Sequence, residues 1–278
     1  MYFGQILRDY KSSTYDSYFT AIVNSDAHFE FSSIEEARNI FEYCLYTFTS
    51  SGQPRPSCDA QPSTGLPQGQ VDYFTTLMTK FLTAMRILMN MKEPFLTSRD
   101  KVSAAALQLH VLNSYVSFCI EYLPPACQPH DNALLPQMRE MVSLCEKIIP
   151  FASGGTESAE QRTSFCLDIG YVIPLYTVAS QCQDIALRRK AIDLLRSTPR
   201  QEGLWNSLVV AKAAERILEI EESVGGQLTP CAPVAALSTS PRSRTVLQLD
   251  GTGVRLQYVK PGQDTAVPVS VVEEVVTW

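Results

Sequence analysis

Between Val102 and Leu123, apolar side chains recur at Val102, Ala105, Leu109, Leu112, Val116, Cys119 and Leu123, in alternating steps of three and four. Such steps return to one side of an α-helix, so this stretch must bury a long stripe against another element. The period of 3.5 suits the seam of a helical hairpin or bundle, and three heptads are too few for a long coiled coil. Thr97-Ser98-Arg99-Asp100 offers a cap before the stripe, and Pro124-Pro125 stops it.

The same reading parses the rest of the chain. Ser32-Ser33-Ile34-Glu35-Glu36 places hydroxyls three positions before carboxylates and predicts a helix over about 33–49, with Ile34, Ala37, Phe41, Cys44, Leu45 and Phe48 on one face. Residues 50–70, broken by Pro54, Pro56, Pro62 and Pro67, read as a mobile loop. Helical periodicity returns from Val71 to Met91, ended by Pro94, and again over about 132–148, closed by Pro150 and the hinge Gly154-Gly155. Four more helices are expected over about 159–173, 175–182, 184–196 and 199–222. Pro174 separates the first two; the last is read as opening on a Thr198 cap, with Pro199 in the first position and Gln201 reaching back. Leu204, Leu208, Ala211 and Leu218 then share its apolar side, with Trp205 beside them.

After Gly225-Gly226 the chemistry changes. Residues 225–243 are rich in Pro, Ser and Thr and read as a linker. Val246 to Leu249 and Val254 to Val259 flank Asp250-Gly251-Thr252-Gly253 and predict a β-hairpin, with a third short strand within 269–276. A lone hairpin is marginal in water, so it must dock on the helices or on a partner. The expected fold is mainly α: stacked antiparallel helical hairpins over 1–224, with a small C-terminal β-hairpin appendage over 244–278.

A chain of 278 residues with 45% apolar and 19% charged side chains has the balance of an ordinary globular protein. Its net charge of −6 denies it the basic field that neutralises phosphates, so no direct nucleic-acid binding is expected of this polypeptide alone. No apolar run approaches the roughly 18 residues of a membrane span, and Arg8, Asp9 and Lys11 interrupt any apolar core near the start, so an intracellular, soluble protein is expected. The eight cysteines never come closer than eight positions apart, which leaves no CxxC pair to seed a zinc or redox site. Most are expected to be reduced, buried small hydrophobes.

Phosphate-binding loops, dinucleotide fingerprints, HExxH and GxSxG are all absent, and no enzyme is predicted. Of the histidines His28, His110 and His130, two fall in expected loops and His110 borders its helix's stripe. Asp168 and Asp184 read as caps or solvated groups rather than a catalytic pair. The triplet Arg188-Arg189-Lys190 reads as a solvated face paired along its own helix with Asp184 and Asp193 rather than a phosphate patch. The acidic cluster Glu219, Glu221 and Glu222 faces either a basic partner or nothing.

The segment from Arg162 to Tyr176 (RTSFCLDIGYVIPLY), then Ala179, Cys182, Asp184, Leu187 to Ile192, and Pro199 to Trp205 (PRQEGLW) with Ala214-Glu215, resembles the C-terminal helical region of fungal C6 zinc cluster (Zn2Cys6) transcription factors. The resemblance is strong over about 60 residues, and the PLY and PRQEGLW blocks together are fairly specific. It implies a regulatory region in the nucleus that controls transcription through proteins of the transcription machinery or a dimer partner. Members of the family read DNA through an N-terminal six-cysteine zinc cluster, which this sequence does not contain. No cofactor is therefore assigned to this chain, and zinc belongs only to the absent cluster; no catalytic or metal residue is assigned. Either the chain is a piece of a longer regulator or it is a cluster-less relative, and a stand-alone helical scaffold or adaptor with no DNA-binding role is the alternative. The residues carrying the resemblance, Asp168, Pro174, Leu175, Tyr176, Pro199, Arg200, Gln201, Glu202, Gly203 and Trp205, are expected to act structurally, as cap, turn, close packing and aromatic wedge.

Overall fold

A computed structural model describes residues 30–50, 68–122, 133–152, 164–166, 170–203, 205–223, 244–246, 253–260 and 270–277. Among the described residues are seven α-helices: α1 (Ile34–Ser50), α2 (Gln68–Lys92), α3 (Ser98–Tyr122), α4 (Leu135–Ala152), α5 (Val172–Gln181), α6 (Ile185–Ser197) and α7 (Ser207–Ser223). A 3-10 turn, Glu93–Phe95, follows α2. Two small sheets complete them: β1 (Ser164–Cys166), β2 (Arg200–Glu202) and β3 (Trp205–Asn206), then β4 (Arg244–Val246), β5 (Gly253–Lys260) and β6 (Ser270–Thr277). The protein is thus mainly α, built of stacked helices with a small antiparallel sheet near its C-terminal end.

The chain divides into two compact units: among the described residues, the first holds α1, α2 and α3 as far as Val111, and the second begins at Leu112. Both expected caps of the first unit form. Ser33 Oγ accepts from the Glu36 N–H at 3.1 Å while the Glu36 carboxylate accepts from the Ser32 N–H at 2.7 Å, which fixes the start of α1. Thr97 and Asp100 make the same reciprocal box at α3. Phe31 and Phe41 close on Phe81 of α2, with ring centroids 4.6 and 5.8 Å away, and anchor that unit's apolar interior. On α3, Leu109, Leu112, Val116 and Cys119 of the predicted stripe are buried, and so are Ala104, Leu107, Val111 and Phe118 outside it, so burial is wider than a two-sided seam requires.

In the second unit α6 packs on α4, α5 and α7, and α7 packs on α5. Asp184, read from sequence as a cap or solvated group, is the N-cap of α6: its carboxylate accepts from the Ala186 and Leu187 N–H groups at 3.0 and 3.2 Å. Those bonds and Arg139, 3.1 Å away, hold the Asp184 carboxyl below the usual carboxylate range, the Leu187 N–H foremost. A depressed folded-state pKa adds stability above the ordinary value near 3.9, and that stability fades as pH falls through the folded value. Asp184→Ala is therefore expected to lose about 1 kcal/mol at pH 7. In urea titrations the gap to the parent protein should close as the pH drops below about 4.

Three expectations need correction. Residues 159–173 do not form a helix: 164–166 are strand β1, and α5 begins at Val172, with Pro174 inside its first turn, where a missing N–H costs nothing. Pro150 does not close α4, which continues to Ala152. Nor does a helix span 199–222. Residues 200–202 and 205–206 are strands, α7 starts at Ser207, and Thr198 terminates α6, donating its hydroxyl to the Leu194 carbonyl at 3.0 Å. Asn206 caps α7 instead, accepting from the Leu208 and Val209 N–H groups at 3.0 and 3.2 Å. Leu208 is accordingly exposed rather than part of an apolar face.

The C-terminal strands form a three-stranded antiparallel sheet in the order β4-β5-β6, with β6 close to the third strand foreseen. Val246 pairs with Arg255; of the expected turn residues, Gly253 is the first residue of β5, and Asp250, Gly251 and Thr252 lie outside the described residues. The sheet docks on α7, where Arg216 grips Glu274 of β6 in a two-point ion pair of 2.7 and 3.1 Å. Of the loop expected over about 50–70, Ser50 and residues 68–70 are helical, the ends of α1 and α2, and the rest lies outside the described residues, as do the hinge Gly154-Gly155, the linker 225–243, His28 and His130.

No described helix is long and apolar enough to cross a membrane. Cys44, Cys119, Cys145 and Cys182 are free and buried. Burial pushes the Cys44 thiol up to about 12 and that of Cys119 to about 11, which keeps both as unreactive thiols.

Candidate functional site

Two sequence blocks carry the family resemblance, and the fold brings them together. Strand β1 pairs in parallel with β2, setting Ser164 against Arg200 and Cys166 against Glu202; β2 then pairs antiparallel with β3 through Glu202 and Trp205. Gly203 makes the reversal between them with φ of +55°, a conformation that other residues adopt only at a cost. Gln201 steadies this turn, donating to the Gly203 carbonyl at 2.7 Å and accepting from Asn206 Nδ2 at 3.0 Å.

The hairpin delivers Glu202 to the start of α5. Its side chain is 0% exposed, and its carboxylate accepts from the Gly170, Tyr171 and Val172 N–H groups at 2.9, 3.1 and 3.0 Å. Those donors have no helical partner of their own, and the positive end of the helix dipole favours an anion there. Tyr171, the residue in the N-cap position, makes no side-chain cap, so Glu202 substitutes for one from thirty positions away. Arg200 supplies the counter-charge, with Nε 2.8 Å from Glu202 Oε1 and the guanidinium 5.2 Å from the centre of the Tyr171 ring. The Tyr171 hydroxyl is tied to Thr198 and Arg200, and burial above all raises its pKa.

The remaining motif residues frame this brace. Pro174 and Leu175 are buried in α5. Tyr176, half-buried, packs against the Val209, Ala213 and Ile217 cluster of α7 and lies 5.9 Å from the Trp205 ring. Pro199 links α6 to β2, and the Arg200 N–H donates to the fully buried Ser207 hydroxyl at 2.9 Å. Asp168 lies outside the described residues.

Gly170, absent from the candidate residues, matters as much as they do. A Cβ there would sit 2.2 Å from Glu202 Oε1 and 2.9 Å from the carboxyl carbon, a carboxylate already fixed by three N–H bonds. Gly170→Ala is expected to cost about 1–3 kcal/mol, as overpacking of a filled interior does. A thermal melt of the variant checks it, and an unchanged midpoint would mean that the carboxylate yields.

A second charged constellation binds the helices around this brace. Arg188, buried, pairs with the equally buried Glu221 and donates from Nε to the Ala179 carbonyl at 2.7 Å. Arg189 meets Glu222 at 2.8 Å, Lys190 meets Glu146 of α4 at 2.8 Å, and Arg196 pairs with Glu215. Two of the basic triplet, Arg188 and Arg189, therefore answer two of the acidic cluster, Glu221 and Glu222, across α6 and α7, while Lys190 turns to α4 and Glu219 to Arg216 at 2.9 Å. This corrects the reading of the triplet as paired along its own helix, and of Arg188 as solvated.

Chemically, the Glu202 carboxylate is enclosed and held by three backbone N–H groups, so it cannot reach a substrate; it is a brace. Among the described residues no three His, Cys, Asp or Glu side chains are placed to hold a metal ion.

Comparison with known proteins adds a name to this picture. Over 117 residues the chain is 30% identical to the aspercryptin biosynthesis cluster-specific transcription regulator of Emericella nidulans. Part of this chain is thus related to a fungal transcription regulator. The aligned stretch covers 41% of this chain and 18% of that regulator, so the chain spans less than a fifth of its relative. No family model matches the chain, and no solved structure matches it.

Proposed function

We propose that this chain is a regulatory region of a fungal C6 zinc cluster type transcription factor, non-enzymatic and acting in the nucleus through contacts with other proteins. One observation carries the reading: the PLY and PRQEGLW blocks are parts of a single buried brace, in which Glu202 of one block caps the helix that opens the other. A resemblance spread over two distant blocks is stronger when they meet in one structural device. The similarity to a named transcription regulator points the same way. In this reading Pro174, Leu175, Tyr176, Pro199, Arg200, Gln201, Glu202, Gly203 and Trp205 shape the helical body and do not themselves contact a ligand.

The test fuses the full chain to an unrelated DNA-binding module upstream of a reporter. Output should change several-fold in either direction; an unchanged reporter with folded, abundant fusion protein overturns the proposal. Trp205→Ala is expected to lower thermal stability and reporter response together, because it removes the wedge beside Tyr176. Lost response at full stability would make Trp205 a contact residue. The purified chain, at a net charge of −6, should show no salt-sensitive affinity for random duplex DNA. Micromolar binding that falls steeply between about 50 and 200 mM salt contradicts this. The acidic balance equally suits the adaptor alternative, and an in-frame six-cysteine cluster encoded upstream of Met1 decides between the two.

A further inference from the structure

Two different kinds of ion pair hold the helices of the second unit and its C-terminal sheet. Between α6 and α7 the Arg188 and Glu221 side chains are 3% and 7% exposed, so neither can leave without stranding the other's charge in the interior. Where the sheet meets α7, the Arg216 and Glu274 side chains are 38% and 32% exposed, within reach of water and salt. The Arg216 guanidinium is divided between two carboxylates. Its Nε and Nη2 donate to Glu274 of β6 at 2.7 and 3.1 Å, and its Nη1 donates to Glu219 of its own helix at 2.9 Å. Arg216 therefore keeps a partner when Glu274 departs, and no charge is left buried. Val275 follows Glu274 along β6 and lies on the opposite face, 53% exposed, so the sheet is covered at this point on its helix side alone. Its ladder runs from strand to strand: β5 pairs with β6 at eight positions and with β4 at three.

We propose that the β4–β6 sheet is a releasable strap on α7, closed by the Arg216–Glu274 pair and opened by ionic strength while the helices stay folded. Parts of a fold that open ahead of global unfolding are those joined to the rest through exposed links. A pair this exposed moves an open–closed balance severalfold rather than by orders of magnitude, which is the range in which a strap responds to its surroundings. Opening frees the Arg216 side of α7, so access to that side follows the ionic conditions. The proposal goes beyond the transcriptional reading, and its test does not use the reporter, so either can fail alone.

The experiment is hydrogen exchange of the full chain, followed by mass spectrometry. A sheet of three short strands leans on what packs against it, so its amides exchange once it leaves the helix. Amides of 253–260 and 270–277 are expected to exchange severalfold faster at about 500 mM than at about 50 mM sodium chloride, because salt screens exposed charges. Those of α5 and α6 should not change. Arg216→Glu turns attraction into repulsion and should speed strand exchange about tenfold at low salt. Glu274→Gln, made on the sheet itself, should speed it severalfold, and the charge exchange R216E/E274R should restore the parent rate. Slow exchange in α5 and α6 verifies in the same data that each variant keeps its helical body. Strand exchange indifferent to salt or to both single variants overturns the proposal. So does a charge exchange that fails to restore the rate, or a parent protein whose strands open only together with α5 and α6.

Discussion

Glu202→Ala should lower unfolding stability by about 3–5 kcal/mol, the cost of removing one member of a buried charge pair. Three backbone N–H groups at the start of α5 lose their acceptor, and Arg200, 13% exposed, loses its counter-ion while still held near the Tyr171 ring. Urea titration followed by circular dichroism measures the loss. Glu202→Gln keeps one acceptor oxygen, enough for the Gly170 and Val172 N–H groups, while it removes the charge and turns an amide NH2 toward the Tyr171 N–H, and it should fall between parent and alanine variant. A Glu202→Ala protein as stable as the parent would mean that the brace is idle and that the PRQEGLW block has another task.

The second large effect concerns Arg188 and Glu221. Arg188→Met alone should destabilise by about 3–5 kcal/mol, because Glu221 is left charged and buried between α6 and α7. Arg188→Met with Glu221→Leu should recover most of that loss, since an apolar pair of similar volume avoids desolvating two charges. The Arg188 Nη2 group finds no hydrogen-bond partner in the fold, which makes the apolar replacement still more favourable. Additive losses in the double variant would show that the two side chains act independently. The exposed rungs Arg189–Glu222 and Lys190–Glu146 should each matter by less than about 1 kcal/mol.

The helices were legible where periodicity and caps agree. Ser33 with Glu36, Thr97 with Asp100, and Asp184 each mark a helix start by a local hydrogen bond between neighbours in sequence, so inspection finds them. The segments around 164–166 and 199–206 escaped because their conformation is decided by each other. A three-residue strand such as Arg200–Glu202 has no periodicity to show, and Thr198-Pro199-Arg200-Gln201 imitates a helix start well enough to hide it. Gly170 and Tyr171 were likewise invisible as site residues, because their importance lies in a carboxylate thirty positions away. The partners of Arg188, Arg189 and Lys190 depended on which helices pack together, which spacing along one helix does not reveal. A Gly–Tyr pair directly before a proline-containing helix, followed by Arg-x-Glu-Gly further along, is the signal that finds the brace.

The carboxylate that closes the start of α5 is synthesised long after the helix it serves. While the chain emerges from the ribosome, Val172 and its neighbours must wait, frayed at their leading turn, until Glu202 and the Gly203 reversal have cleared the exit. Any stop or cleavage between Ser180 and Pro199 therefore leaves an unfinished helix that exposes Leu175 and Val178, residues otherwise wholly buried, to the quality-control machinery.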